Sequence, residues 1–257
     1  MNTTARPRSM LWGVYEHVAM VVGLVSLAVV CLSWSPLALV LYRMLPGPPG
    51  RWLGRQAIMR GFRLYVGVLR TLCACRFDLG ALDTLRDQGP MVIAANHPSL
   101  LDAVLITSRL PNAVCLMKAS LMDNPLFGAG ARMARYVRND NLLSAVLSCR
   151  RELHQGAQLV IFPEGTRTLG YPANPLNPLS RSTALIATRA GVPVQTVIIE
   201  FSSPYLGKGW PLWRKPSLPL TCRVRLGRRF DAPHDARAFT TELEAYFRAE
   251  LASPPAP

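Results

Sequence analysis

From residue 17 to residue 42 the chain carries no Asp, Glu, Lys or Arg. As one helix, that run would extend about 39 Å, longer than the ~30 Å of bilayer hydrocarbon. It reads as a membrane segment, with a helix buried in a core as the alternative. It is too long for the apolar part of a secretory signal, and no small-x-small cleavage pattern follows, so the segment is expected to be retained. Ser33-Trp34-Ser35-Pro36 is its one strong interruption, able to kink a spanning helix or to turn a re-entrant hairpin. The hydrophobic fraction is 50% and the mean hydropathy +0.19 over 257 residues, which leaves room for one full domain beyond an anchor.

Charge sharpens this picture. The net charge is +14, yet no acidic residue falls between Glu16 and Asp78, where Arg43, Arg51, Arg55, Arg60, Arg63, Arg70 and Arg76 all lie. Only Arg6 and Arg8 precede the apolar run, so the positive-inside rule puts the chain after it in the cytoplasm. On a helical wheel from Arg51 to Leu72, the arginines occupy one half, and Leu53, Ala57, Leu64, Tyr65, Val68 and Leu72 the other. Such a helix beside a membrane segment reads as lying on anionic lipid, or as packing its apolar face on the domain core. Met44-Leu45-Pro46-Gly47-Pro48-Pro49-Gly50 forms a linker ahead of it. A sequence pI near 10.3 also raises nucleic-acid binding. The crowding of arginines next to the apolar run, and the lack of a recognised nucleic-acid module, argue against that.

The six cysteines, at 31, 73, 75, 115, 149 and 222, have no metal-ligand spacing and read as buried free thiols. Strand patterns fall at 73–79, 91–95, 113–117, 134–137, 157–162, 194–201 and 221–226, with helical patterns near 100–109, 141–154, 182–190 and 235–251. The alternation predicts an α/β layered domain with a mostly parallel sheet flanked by helices. A membrane helix or helical hairpin and the basic amphipathic helix precede it. Two proline-rich stretches, 170–180 and 203–219, read as irregular loops. In the second, Tyr205, Trp210 and Trp213 interleave with Lys208, Arg214 and Lys215, which suits a headgroup-level contact, an acidic partner or a folded-down loop.

Two polar elements each follow an apolar run. Asn96-His97-Pro98-Ser99-Leu100-Leu101-Asp102 follows Met91–Ala95, and Phe162-Pro163-Glu164-Gly165-Thr166-Arg167 follows residues 157–161. Both therefore belong at strand ends, where sites form in α/β proteins. A free imidazole, with a pKa of about 6.5, takes a hydroxyl proton near neutrality, and a carboxylate fixes its tautomer. His97 is the candidate base and Asp102 its partner, with Pro98 at the first position of the helix. Taken alone, such a pair is more often a capped helix with a satisfied histidine. Ser99 lacks a nucleophile elbow and reads as a cap. Gly165 permits close backbone approach, and Arg167 offers a forked donor for an anion. The set suits moving an acyl group onto a hydroxyl of a phosphorylated acceptor.

These two elements, in this order, resemble the glycerolipid or lysophospholipid acyltransferases related to 1-acylglycerol-3-phosphate acyltransferase. The resemblance covers roughly residues 75–200. It implies direct transfer without an acyl-enzyme, and an acceptor-binding role for Glu164, Gly165, Thr166 and Arg167. The stretch from Lys118 to Gly128, closing with Tyr136-Val137-Arg138-Asn139, is similar to the family's second block, which implies an acceptor-phosphate contact for Arg138 and, less distinctively, for Lys118. Val192-Pro193-Val194 resembles the start of the fourth block. The chain departs from the family at Gln195-Thr196-Val197, where a second proline is common. It departs again at Leu179-Ser180-Arg181-Ser182, where many members read Phe-Lys-x-Gly. Both departures bear on acceptor and acyl chain rather than on the histidine and aspartate.

The expectation is an anchor over 1–48, an acyltransferase domain over 49–251 and a frayed tail over 252–257. The enzyme would be a membrane-bound O-acyltransferase using acyl-CoA or acyl carrier protein as co-substrate, without metal or redox cofactor and without nucleic acid. The first acceptor is 1-acylglycerol-3-phosphate. The alternative is a specialised lipid acceptor, or a polyene-type acyl donor in a secondary pathway. A hydrolase or transacylase on the same scaffold remains a further class.

Overall fold

Successive residues of the run Met91–Ala95 serve two different cores, as a strand covered on both faces must. In the computed structural model, which describes residues 9–252, Met91, Ile93 and Ala95 pack into one apolar cluster, and Val92 and Ala94 into another. The strands are β1 (Cys75–Asp78), β2 (Met91–Ala95), β3 (Ala113–Lys118), β4 (Val137–Asn139), β5 (Gln158–Ile161), β6 (Val194–Phe201) and β7 (Leu220–Phe230). They form one sheet of order β1-β7-β6-β2-β5-β3-β4. The five strands from β6 to β4 are mutually parallel, so their C-terminal ends share one edge. At the other side β7 runs antiparallel to β6, and β1 follows β7. This is the expected mostly parallel α/β sheet.

Helices cover both faces. On one lie α2 (Pro48–Leu72), through Tyr65, Val66 and Leu69, and α3 (Leu101–Thr107), through Leu101, Leu105 and Ile106. On the other lie α6 (Leu142–His154), α7 (Ser182–Ala190) and α8 (Ala236–Ala252), the last through Phe239, Leu243 and Phe247. Two short helices, α4 (Ala119–Met122) and α5 (Gly128–Met133), stand where sequence patterning gave no helix. The strand expected at 134–137 begins only at Val137. Residues 134–136 instead close α5: Tyr136 N–H donates to Ala131 O at 2.9 Å, and Arg135 turns with φ +62°.

The apolar run becomes α1 (Met10–Met44), continuous through Pro36, so the re-entrant turn does not occur there. The helix pairs with α2, which begins at Pro48 rather than after Gly50 because proline suits the first helical positions. One face of α1 packs on the domain through Glu16, Ala19, Met20, Gly23, Cys31, Ser35 and Ala38. Ser35 Oγ lies within bonding distance of the carbonyls of Pro125 and Leu126, 3.2 Å each. The opposite face presents Val14, Val18, Val21, Val25, Val29 and Leu32 at three- and four-residue spacing, all exposed.

Helix α2 departs from its wheel in one respect. Arg55 is buried: its Nη2 meets Glu152 Oε2 at 2.6 Å, Nη1 meets Asn112 Oδ1 at 2.7 Å, and Nε meets Ala134 O at 3.1 Å. A one-dimensional wheel cannot anticipate the acid on α6 that draws this arginine inward. Leu64 and Leu72, grouped with the core-facing side of the wheel, are exposed, whereas Tyr65, Val66 and Leu69 carry the packing. All six cysteines are free and buried. Arg6, Arg8 and residues 253–257 lie outside the described residues, whereas Ala252 closes α8.

Candidate active site

His97 leaves the C-terminal end of β2, and three separate features hold it. Its Nδ1 lies 2.8 Å from Asp102 Oδ2, its ring stacks on Phe162 with centroids 4.0 Å apart and planes 18° apart, and its N–H donates to Glu164 Oε1 at 2.8 Å. The His97 side chain is 17% exposed and the Asp102 side chain 0%. With Nδ1 facing the carboxylate, Nε2 is the ring atom available to a reactant.

Helix α3 begins at Leu101, three residues later than the sequence implied, because Pro98, Ser99 and Leu100 are drawn into a turn. Asp102 thus sits in the first helical turn, where its Oδ2 also accepts the Ser99 N–H at 2.9 Å. The Ser99 hydroxyl accepts the Leu101 N–H at 3.2 Å and donates to Tyr205 O at 2.9 Å. This network holds the turn that leads into α3. It commits Ser99 to structure, as its sequence context suggested. Burial pushes the Asp102 carboxyl above the usual carboxylate range. The His97 ring, the Ser99 N–H and the nearby Arg167 charge oppose that rise.

The second element starts where β5 ends, one strand from β2. Thr168 N–H donates to His97 O at 2.7 Å, which ties it to the first element. Gly165 makes the turn at φ +68°, a conformation that side chains disfavour. Glu164 is turned inward rather than toward a ligand. Oε1 accepts the His97 N–H and the Thr168 hydroxyl, and Oε2 accepts the Asn177 N–H, the last two at 2.9 Å. Burial raises its pKa, and these donors hold it back. Arg167 is half-buried, and its Nη1 donates to Leu206 O and Gly207 O at 2.7 and 2.9 Å. Burial lowers its pKa, and the Asp102 carboxylate acts against that. Thr166 Oγ1 accepts from Lys208 Nζ at 2.9 Å.

His97, Asp102, Glu164, Gly165, Thr166 and Arg167 therefore converge on one edge of the sheet. Lys118 ends β3, two strand steps from β2, and Arg138 lies in β4, one step further. At about 4.8 Å per step, those backbones stand roughly 10 and 14 Å away. Arg138 is exposed and ion-paired with Asp123 at 2.7 Å and with Asp140.

Sequence reasoning missed four contributors. Phe162 is the platform under the imidazole. Asn96 exchanges two 2.8 Å bonds with the Ile199 backbone and so locks the ends of β2 and β6 together. Asn177 bridges Glu164, Leu169 and the Arg167 carbonyl. The carbonyls of Tyr205, Leu206 and Gly207 wall the site from the 203–219 loop. Only the asparagines gave a signal, as polar residues beside or within predicted loops.

Comparison with known proteins supports a shared architecture. The Acyltransferase family model matches residues 76–200. A 1-acyl-sn-glycerol-3-phosphate acyltransferase of Helicobacter pylori is 29% identical over 51% of this chain, and the chain spans only 58% of that relative. A lyso-ornithine lipid O-acyltransferase of Pseudomonas aeruginosa is 32% identical, covering 71% of this chain and 67% of its own length. The crystal structure of the 1-acyl-sn-glycerophosphate acyltransferase PlsC from Thermotoga maritima superposes with a TM-score of 0.68 over 95% of this chain and 99% of that one, at 17% identity, which speaks to the fold. The family match and the 32% identical relative together place this chain in the Acyltransferase family.

Proposed function

We propose that the protein transfers an acyl chain from a thioester, acyl-CoA or acyl carrier protein, to a hydroxyl of a lysophospholipid. His97 Nε2 takes the acceptor's proton as the oxygen attacks the thioester carbonyl. The tetrahedral intermediate collapses, the C–S bond breaks, and the imidazolium returns its proton to the departing sulfur. Asp102 stabilises the imidazolium and fixes its tautomer. The thioester supplies the driving force, so no metal or redox group takes part. Arg167, and from further out Lys118 and Arg138, supply the positive charge that an acceptor phosphate needs. Glu164 serves by holding the strand ends rather than by touching the acceptor.

The observation that carries this reading is the buried carboxylate 2.8 Å from a histidine whose main chain is bonded to the Glu-Gly-Thr-Arg turn. The first acceptor is 1-acylglycerol-3-phosphate, giving phosphatidic acid. The similarity to a lyso-ornithine lipid enzyme favours a second reading, the same chemistry on an acceptor of that kind.

Helix α1 supports membrane attachment in the plane of one leaflet. From Glu16 to Ala38 it extends about 33 Å, close to the hydrocarbon thickness, and the domain packs on both ends. A crossing orientation would drag the Pro125 and Leu126 carbonyls into lipid. The apolar stripe from Val14 to Leu32 faces the acyl chains, and the arginine surplus favours the inner membrane's cytoplasmic side.

The test is intact-lipid mass spectrometry of solubilised protein given a panel of thioesters with lysophosphatidic acid or lyso-ornithine lipid. Transfer should fall at least ~10²-fold in His97→Ala. Near-normal turnover in that variant would discard the reading, and free fatty acid as the main product would reassign it to hydrolysis.

A further inference from the structure

The 203–219 loop is bonded to the site at one end and to α1 at the other. Besides the contacts to Ser99 and Arg167, its Leu206 O accepts the Leu100 N–H at 3.0 Å. At the far end, Lys215 Nζ meets Glu16 Oε2 at 2.7 Å, and Leu218 N–H donates to Glu16 Oε1 at 3.1 Å. Glu16 is buried, so this junction fixes the loop against the first turns of α1.

Between these anchors the chain makes a tight turn from Pro211 to Arg214, closed by Arg214 N–H to Pro211 O at 3.0 Å. Its base is rigid. Trp210 packs edge-on against Tyr205 at 5.8 Å, donates its Nε1–H to Arg214 O at 2.9 Å, and lies under the Arg214 guanidinium at 4.5 Å. Turns are enriched in Gly, Pro, Asn, Asp and Ser. Here the two corner positions hold Leu212 and Trp213, exposed at 54% and 81%. Residues 203–219 contain Lys208, Arg214 and Lys215 and no acid. The loop also flanks Gly13 and Glu16, where the exposed face of α1 begins with Met10, Leu11 and Val14.

We propose that the Pro211–Arg214 turn is a second membrane contact, in which Leu212 and Trp213 enter the headgroup–acyl boundary of an anionic lipid surface beside α1. An amphipathic aromatic and an aliphatic side chain on a cationic turn are what that boundary retains. Arg214 meets lipid phosphates there, which adds electrostatic attraction. The turn shares its loop with the Tyr205–Gly207 carbonyls, so the contact sets the height of the candidate site above the lipid. The inference rests on the in-plane reading of α1.

The test uses full-length protein reconstituted in nanodiscs of phosphatidylcholine and phosphatidylglycerol. A fluorescent thiol label is placed by Trp213→Cys, Val25→Cys or Leu143→Cys in separate proteins. The native cysteines are buried, and labelling of the unsubstituted chain sets the background. Position 25 reports on α1, and position 143 is an exposed site on α6. Lipids carrying a spin label near the headgroup should quench the label at 213 and at 25 at least twofold, and leave that at 143 unchanged. Quenching at 25 but not at 213 overturns the wedge and leaves the orientation of α1 intact. Quenching at neither position overturns both. A label at 213 that ignores the quencher but responds to added acidic carrier protein overturns the lipid contact in favour of protein docking. Equal quenching in discs without phosphatidylglycerol overturns the choice of an anionic surface.

Discussion

Asp102→Asn separates the charge of the carboxylate from its shape. Both donors that reach Asp102 converge on Oδ2, His97 Nδ1 at 2.8 Å and Ser99 N–H at 2.9 Å. An amide oxygen can accept both, so the turn and the ring keep their places. What disappears is the anion that, in the proposed mechanism, faces the imidazolium. The pair is poorly screened, with Asp102 buried and His97 only 17% exposed. Two charges about 4 Å apart at an effective dielectric near 20 interact by roughly 4 kcal/mol. Each 1.36 kcal/mol is tenfold in rate, so turnover should fall by about 10³-fold.

Stability should move the other way. Burial holds the folded Asp102 pKa above its unfolded value, so the folded state favours the protonated form. The stability tied to that proton is fully present below about pH 4 and is lost as pH rises through the raised folded value. The wild-type carboxylate therefore carries a charge penalty near pH 7 that asparagine lacks, which offsets the cost of placing the amide Nδ2 where the unpartnered Oδ1 now lies. The variant should unfold at or above the wild-type temperature near pH 7, an advantage that fades toward pH 4. Acyl transfer and thermal unfolding are read in the same detergent at both pH values. Turnover within tenfold of wild type refutes the pairing argument, and a Tm lowered by more than about 5 °C near pH 7 refutes the linkage argument.

Glu152→Ala strands the buried Arg55 guanidinium and should cost about 3–5 kcal/mol, a fall in Tm of roughly 6–20 °C. Arg55→Met combined with Glu152→Leu should recover most of that loss, and additive losses would contradict the ion-pair account. Glu164→Ala removes the acceptor for three donors, two of them backbone N–H groups. It should lower Tm and depress turnover with every acceptor tested, whereas loss confined to phosphorylated acceptors would restore a ligand-binding role for this residue.

How far the sequence reached depended on whether a feature was local. The sheet was legible because Met91–Ala95, Gln158–Ile161 and Val194–Phe201 are short stretches rich in apolar and β-branched residues, and each became a strand. Helices α6, α7 and α8 announced themselves by period. Helices α4 and α5 did not: they span four and six residues, too short for any period to emerge. The histidine and aspartate were readable because five positions of chain bring them together. The inward turn of Glu164 was not, since its donors come from residues 97, 168 and 177. Arg55 looked like a surface charge for the same reason, its partners being 57 to 97 residues away.

The wall at Tyr205, Leu206 and Gly207 grips Ser99, Leu100 and Arg167 with peptide oxygens alone. A peptide oxygen offers the same lone pairs whatever residue bears it, so the hold itself needs no particular side chain, although those of Tyr205 and Leu206 are buried in the core. Gly207 is constrained by space: a methyl group there would sit 2.9 Å from Pro204 O and 3.3 Å from Pro98 O. Motif searches, which reward spelling, pass over such a region, and the enzyme keeps there a support that can diverge while the histidine it steadies stays fixed.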